Sequence, residues 1–483
     1  MATDPGLRRL ALRTLLAAFP GPTPPDWAAK LLADGLAGFL LFSSNIDRPE
    51  RVAATTAALR AHRADVLIAI DEEGGDVTRL AHATGSPYPG NAALGAVDDL
   101  ALTQEIYRAI GDELAQLGVS LNLAPTVDVN TADDNPVIGT RSFGVDPSLV
   151  AAHTTAAVTG LQTAGVAACA KHFPGHGATV TDSHLGLPTV EVSLEVLRRR
   201  DLPPFAAAIA ADVKAVMTAH LRVPALSGTL PATFSRLVLV DLLRGEYGFT
   251  GALVTDALEM AGAVLAAGGI VPAAVRALAA GADLLCLGRR VDAALVEQVA
   301  TGIAVAVQEG RLARARVEEA AARAAALATD PPPRAGAPAT ATELGYRAAR
   351  RAVRVEGDPS GFAAAMVVQL AATATQVEGR VPWGLAPHLR GAEHLRVVAA
   401  DTTPEALVGR AGSRPIVLVG RHLHRLPGAR SLIEAVAARH PVAVVEMGWP
   451  SRWRPAGIRA FVLTYGASRA NGRAAAEALG LTG

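Results

Sequence analysis

Between Lys171 and His184 the chain places one ammonium, three imidazoles and a carboxylate within fourteen residues: Lys171-His172-Phe173-Pro174-Gly175-His176-Gly177, then Asp182-Ser183-His184. Such a set can grip the polar groups of a ligand and carry a proton, because imidazole titrates near neutrality. The apolar run Val166–Ala170 leads straight into it, and Pro174, Gly175 and Gly177 break any regular element. A polar loop issuing from a buried-type strand is how a catalytic pocket is furnished. Other strands must then deliver complementary groups to the same place.

Four further apolar runs end in polar groups. After Val66–Ile70 comes Asp71-Glu72-Glu73-Gly74-Gly75-Asp76-Val77-Thr78-Arg79. Its glycine pair lets the backbone turn sharply beside a ligand, and Asp71 is placed to accept hydrogen bonds from hydroxyls. After Val119–Leu123 comes Asp128, either a support for other site residues or a loop cap. His220 follows Lys214–Ala219, as a ligand contact or a structural histidine. Asp256 follows Ala252–Thr255 and is a nucleophile, a metal ligand or a helix cap. A Gly- and Pro-rich stretch, 135–144, surrounds Arg141. Three carboxylates and several histidines are metal-type ligands, but Lys171 and Arg141 bring cations to the same mouth, so no metal is expected. There is no phosphate-cradling glycine loop, dinucleotide fingerprint or His-Glu-x-x-His, so no cofactor is expected.

Strand ends need strands. Through residues 1–330 short β-type runs alternate with Ala- and Leu-rich helical stretches, the signature of repeated βα units. Arg13–Phe19, Gly38–Phe42, Val66–Ile70, Val119–Leu123, Val166–Ala170, Lys214–Ala219, Ala252–Thr255 and Asp283–Leu287 make eight. Eight parallel strands with eight crossovers predict an α/β fold, a closed (β/α)8 TIM barrel with its chemistry at the carboxyl ends of the strands. Helices are predicted over Arg51–Ala61, Ala101–Leu117, Leu149–Ala164, Ser193–Ala211, Ala273–Ala280 and the periodic stretch Ala293–Ala328. Pro331-Pro332-Pro333 cannot continue a helix, and 331–341 reads as a Pro-rich linker. Residues 342–483 predict a smaller α/β sandwich, with strands at Ala365–Leu370, Leu395–Ala399, Pro415–Val419, Val442–Glu446 and Ala460–Thr464 and helices at Leu432–Ala438 and Arg469–Leu479. Its Arg421, His422, His424 and Arg425 form no dense constellation and are read as structural.

Bulk properties set the frame. A chain of 483 residues exceeds one ordinary core. Half its residues are hydrophobic and 19% are charged, as in a soluble globular enzyme. The 45 Lys plus Arg balance 45 Asp plus Glu, which leaves no basic footprint for nucleic acid or an anionic membrane. Cys169 and Cys286 lie in apolar runs and read as buried free thiols. Arg8-Arg9 before Leu10-Ala11-Leu12 faintly suggests a signal peptide, but Arg13 interrupts the run and no cleavage site follows, so Thr14–Phe19 reads as the first strand. No apolar run reaches the ~20 residues that span a bilayer, and a cytoplasmic location is the expectation.

Taken together these motifs resemble glycoside hydrolase family 3 over the whole barrel. Lys171-His172-Phe173-Pro174-Gly175-His176-Gly177 is that family's most recognisable run, and Asp71-x-Glu73-Gly74-Gly75-x-Val77-x-Arg79, Gly139-x-Arg141-Ser142-Phe143 and Val254-Thr255-Asp256 fit in order. Asp182-Ser183-His184 is similar to the β-N-acetylglucosaminidase subset, some of whose members recycle peptidoglycan fragments. Residues 463–471 look like the second domain of longer members. The resemblance implies a retaining, exo-acting enzyme that releases terminal β-linked N-acetylglucosamine. Asp256 would form a covalent glycosyl-enzyme. His184 would be general acid, then base, oriented by Asp182. Asp71, Arg79, Arg141, Lys171 and His172 would bind the terminal sugar, with Arg79 also a partner to an acid. His176 would shape the loop, and Asp76 is a position expected to vary.

Other readings use the same residues. A phosphorylase would release the sugar with phosphate, since His184 repels an incoming phosphate less than a carboxylate does. A β-glucosidase is weakened by the Asp182–His184 dyad. A Schiff-base role for Lys171 leaves Asp182 and His184 without a job, and a sugar-binding protein leaves Asp256 idle.

Overall fold

Eight short parallel strands close on themselves. They are β1 (Leu15–Ala17), β2 (Gly38–Leu41), β3 (Leu67–Ile70), β4 (Leu121–Asn122), β5 (Ala167–Phe173), β6 (Ala215–Thr218), β7 (Ala252–Thr255) and β8 (Leu285–Cys286). Each pairs in parallel with the next, β8 pairs with β1, and the bridge between Val254 and Leu284 joins β7 to β8. The computed structural model describes residues 4–182, 186–328, 341–372, 375 and 377–482. Every residue in these eight strands is buried, which explains why most of them read as apolar runs; β4, within Val-Ser-Leu-Asn-Leu, is the exception. The barrel interior is filled by Leu16, Leu40, Ala69, Leu121, Cys169, Met217, Val254 and Cys286. Below β8, the wholly buried Asp283 accepts from Arg244 (2.6 Å) and the Leu253 amide (2.8 Å) and pairs with Arg316, fastening the starts of β7 and β8.

Two predicted helices are each divided in the structure. The stretch expected over Ser193–Ala211 is two helices, Leu194–Arg200 and Pro203–Ala210, because Pro203 and Pro204 lack the amides that would continue the first helix. The stretch from Ala293 to Ala328 is likewise Ala293–Gln308 and Arg314–Ala325, divided at Glu309-Gly310-Arg311.

The second sheet has six strands: β9 (Arg354–Gly357), β10 (Met366–Leu370), β11 (His394–Val397), β12 (Ile416–Gly420), β13 (Val442–Glu446) and β14 (Ala460–Leu463). Their order is β11-β10-β12-β13-β14-β9, parallel except for antiparallel β9 at the edge. Five of these were legible in the sequence. The sixth, β9, was not: all four of its residues are exposed, so Arg-Val-Glu-Gly carries no apolar signal. Side chains alternate between two cores. Met366, Val368, Leu418 and Val444 pack with the helix Ala429–Ala437, and Val367, Val417, Val445 and Val462 pack with Arg469–Ala478.

The chain forms two compact units, and each is assembled from three stretches. The first is Met1–Glu72, Thr103–Ile138 and Val145–Pro338; the second is Glu73–Leu102, Gly139–Gly144 and Ala339–Gly483. The segment expected as a linker, 331–341, lies outside the described residues up to 340.

Candidate active site

Strand β5 ends in Lys171-His172-Phe173, and all seven of its residues are buried. The Lys171 ammonium, its side chain 2% exposed, donates to Asp71 Oδ1 at 2.9 Å. Asp71 is the first residue beyond β3, so strands on either side of β4 supply the two halves of the pair. An ammonium this deep is stable only with a matched carboxylate.

The segment after β4 runs on beside β5. The Cys169 and Lys171 amides donate to the Ala124 and Pro125 carbonyls, and the Val127 amide donates to the Lys171 carbonyl at 2.7 Å. This pairing delivers Asp128, wholly buried, to the start of the loop. The His172 Nδ1–H donates to Asp128 Oδ2 at 2.8 Å, and the amides of His172 (3.3 Å) and His176 (2.6 Å) donate to the same carboxylate. Of the two roles the sequence left open for Asp128, the structure thus shows support: one carboxylate holds both histidines. His176 is buried; its Nδ1 meets Thr179 Oγ1 at 2.7 Å and its carbonyl accepts from Asn135 at 3.0 Å. Burial pushes its imidazole down to about 4, so the ring is neutral through the physiological range. At Gly177 the loop passes so close to Val129 that a Cβ would stand 1.9 Å from its carbonyl oxygen, which requires glycine.

Asp256 leaves the carboxyl end of β7, half-buried, with its Oδ1 accepting from the Ala257 amide at 2.7 Å. Its charge acts on His176 and, together with Lys171 and Asp71, on the buried Cys169, whose thiol burial pushes up to about 12. The nucleophile candidate, the ion pair and the His172–Asp128 pair therefore occupy the same end of one barrel. His220 turns out structural: its ring nitrogens meet Thr233 Oγ1 (2.9 Å) and the Ala257 carbonyl (3.1 Å), which buttresses the turn that carries Asp256.

The loop beyond Gly177 is pinned at both ends. The Thr131 and Ala132 amides donate to the Gly177 carbonyl, and Thr189 pairs with Arg222 through both backbone and side chain. Asp182 lies between these anchors and its carbonyl accepts from the Gly186 amide at 3.1 Å. His184, with Ser183, lies outside the described residues.

Arg79 and Arg141 belong to the second unit. Arg141 makes a two-pronged pair with Glu73, at 2.9 and 2.8 Å, both side chains buried. Arg79 donates to the Val377 carbonyl at 2.9 Å. Asp76, read from the sequence as free to vary, is instead one of the most constrained acids in the unit. It is buried, with Oδ2 accepting from Thr140 Oγ1 (2.7 Å) and Arg421 (3.0 Å) and Oδ1 from the Ala467 amide (2.7 Å). Arg421 also pairs with Glu378 at 2.5 Å. Glu446, buried at the end of β13, accepts from the amides of His422, Leu423 and Gly448 at 2.8, 2.8 and 2.7 Å. Sequence reasoning missed this constellation, although Arg421 and Glu446 follow or end apolar runs just as the barrel acids do. Among the described residues no group of three His, Cys, Asp or Glu is arranged to hold a metal.

Comparisons with known proteins agree on the lineage. A family model described as the glycosyl hydrolase family 3 N terminal domain matches residues 22–327. Beta-hexosaminidase A of Pseudoalteromonas piscicida is 35% identical over 335 residues, 64% of this chain but 56% of that protein, so the chain spans little more than half of that relative's length. Beta-hexosaminidase of Stenotrophomonas maltophilia (strain K279a) is 40% identical over 279 residues, 56% of this chain and 81% of that protein. A solved glycoside hydrolase family 3 beta-N-acetylglucosaminidase from Paenibacillus sp. str. FPU-7 superposes with a TM-score of 0.88 at 34% identity, covering 99% of this chain and 97% of that one.

Proposed function

Because this chain belongs to glycoside hydrolase family 3, we propose that it is a retaining, exo-acting glycosidase that releases terminal β-linked N-acetylglucosamine. The observation that carries the proposal is Asp256 at the end of β7, in the same barrel mouth as the Lys171–Asp71 pair and the His172–Asp128 pair. The sugar class is supported by the likeness, over nearly its whole length, to a solved family 3 β-N-acetylglucosaminidase.

In this mechanism Asp256 attacks the anomeric carbon, and the bond to the leaving oxygen breaks as His184 protonates it. Water then attacks the glycosyl-enzyme, His184 takes its proton, and Asp256 is released, so the two inversions retain configuration. Asp182 orients the His184 ring. Asp71, Lys171 and His172 hold sugar hydroxyls, and their rigid placement supplies orientation before the reaction begins. For Arg79 and Arg141 the support for sugar binding is the resemblance of their motifs to the family's.

The test is turnover of the nitrophenyl β-glycosides of N-acetylglucosamine and glucose, with and without phosphate, by the wild type, Asp256→Ala and His184→Ala. The expected result is preference for the N-acetylglucosaminide, no response to phosphate, and release of the β-anomer first. A sugar 1-phosphate product would replace hydrolysis with phosphorolysis, and undiminished turnover in Asp256→Ala would sink the proposal.

A further inference from the structure

The loop that starts at Lys171 lies along the 124–135 segment, and the segment's one buried carboxylate sits at the middle of the contact. Val127 donates to the Lys171 carbonyl, Thr131 and Ala132 to the Gly177 carbonyl, and Asn135 to the His176 carbonyl. Between these, Asp128 takes the His172 amide and ring at one end and the His176 amide at the other. The three donors named here are all N–H groups, and a carboxylate facing the ring nitrogen pairs with the tautomer that carries its proton there. The rings of His172 and His176 are 6.0 Å apart and edge-on, so the two imidazoles brace one another across the same turn.

We propose that Asp128 is a positioning residue for both halves of the reaction, a deepening that rests on the function proposed above. Through the ring it keeps His172 protonated on Nδ1, which fixes the orientation in which that imidazole meets the sugar. Through the His176 amide it fixes the path of the backbone into Gly177, from which the loop departs toward Asp182. One buried carboxylate thus sets the sugar grip and the departure point of the acid/base loop together. Asparagine does not reproduce it: with its amide nitrogen toward His172 Nδ1 it reverses the ring's tautomer, and with its amide nitrogen toward the His176 amide it sets donor against donor.

Two measurements test this. The first needs no variant: 15N spectra of the wild-type imidazoles, with His172 assigned by difference from His172→Gln, should show His172 protonated on Nδ1. A His172 carrying its proton on Nε2 alone overturns the proposal. The second compares kinetics on the nitrophenyl N-acetylglucosaminide. Asp128→Asn is expected to lower kcat/KM by about 100-fold, the usual cost of misplacement by about an ångström, with kcat and KM both moved. His172→Gln should raise KM, as for loss of a binding contact to the sugar. If Asp128→Asn changes KM alone, or neither constant, Asp128 does not serve the loop and the proposal fails. A wild type inactive on this substrate would defeat the functional reading, while the 15N result would still decide the Asp128–His172 relationship.

Discussion

Asp76 and Arg421 are 345 positions apart in the chain, and their carboxylate and guanidinium meet at 3.0 Å inside the second unit. The same Asp76 oxygen takes the Thr140 hydroxyl, next to Arg141, while Glu73 of the same turn holds Arg141 itself. Three stretches of chain are thereby joined around two acids and two arginines. Removing one member of a buried pair strands the other, which costs about 3–5 kcal/mol. Arg421→Met should therefore destabilise the second unit by about that amount. Three of the four tryptophans, Trp383, Trp449 and Trp453, lie in this unit, so urea unfolding followed by tryptophan emission reports on it. An unchanged transition would show the pair to be dispensable.

Lys171→Met leaves the half-buried Asp71 at the mouth without this cation. The expected result is a fall in kcat/KM of about 100-fold, corresponding to nearly 3 kcal/mol at about 1.4 kcal/mol per tenfold. Steady-state kinetics beside a thermal scan separates this from simple unfolding. Activity near that of the wild type would remove the ion pair from the catalytic machinery.

His176 predicts a pH dependence of stability. Its folded pKa is depressed from 6.5 to about 4 by burial. Between those values the unfolded chain binds the proton and the folded one does not, so stability falls as pH drops from 6.5 toward 4. The full loss is about 3 kcal/mol at 1.36 kcal/mol per unit. Denaturant unfolding of wild type and His176→Phe at pH 7 and pH 5 checks it: the difference between the proteins should shrink at the lower pH.

Glu446 predicts the opposite slope. Burial raises its carboxyl from 4.5 to about 7, against the three amides that favour the anion. Its contribution is complete below pH 4.5 and is lost as pH rises through 7. Glu446→Gln should flatten that part of the wild-type stability curve, and an identical curve for the two proteins would exclude it.

The sequence reading succeeded where burial is two-sided. β3, β5 and β7 stand out because each opens as an enclosed apolar run, and the polar residue that follows the run, Asp71, Lys171 or Asp256, marks the mouth of the barrel. It failed where the deciding partner is remote. Asp76 sits in an acidic turn like many others, and nothing within that turn signals an arginine 345 residues away. β9 has no buried side chain to betray it, and its place is set by its ladder with β14 and by polar contacts such as Glu356 with Arg454, remote in sequence. The helix breaks were legible in principle, since Pro203 and Gly310 were in plain view and only the Ala-rich periodicity around them argued for continuity.

The three-part make-up of each unit also has a consequence for the order of synthesis. Residues 73–102 and 139–144 leave the ribosome long before residues 339–483, with which they share a unit. At about 5–20 residues per second, the 73–102 segment waits roughly 20–75 s for the rest of its own unit to be made. Through that interval Val77, Tyr88 and Leu94, all buried in the finished protein, lack the neighbours that will cover them. A nascent chain of this kind is exposed to misassociation at its early segments rather than its late ones, and a ribosome stalled before residue 339 carries a barrel sequence together with unshielded pieces of a sheet unit not yet begun.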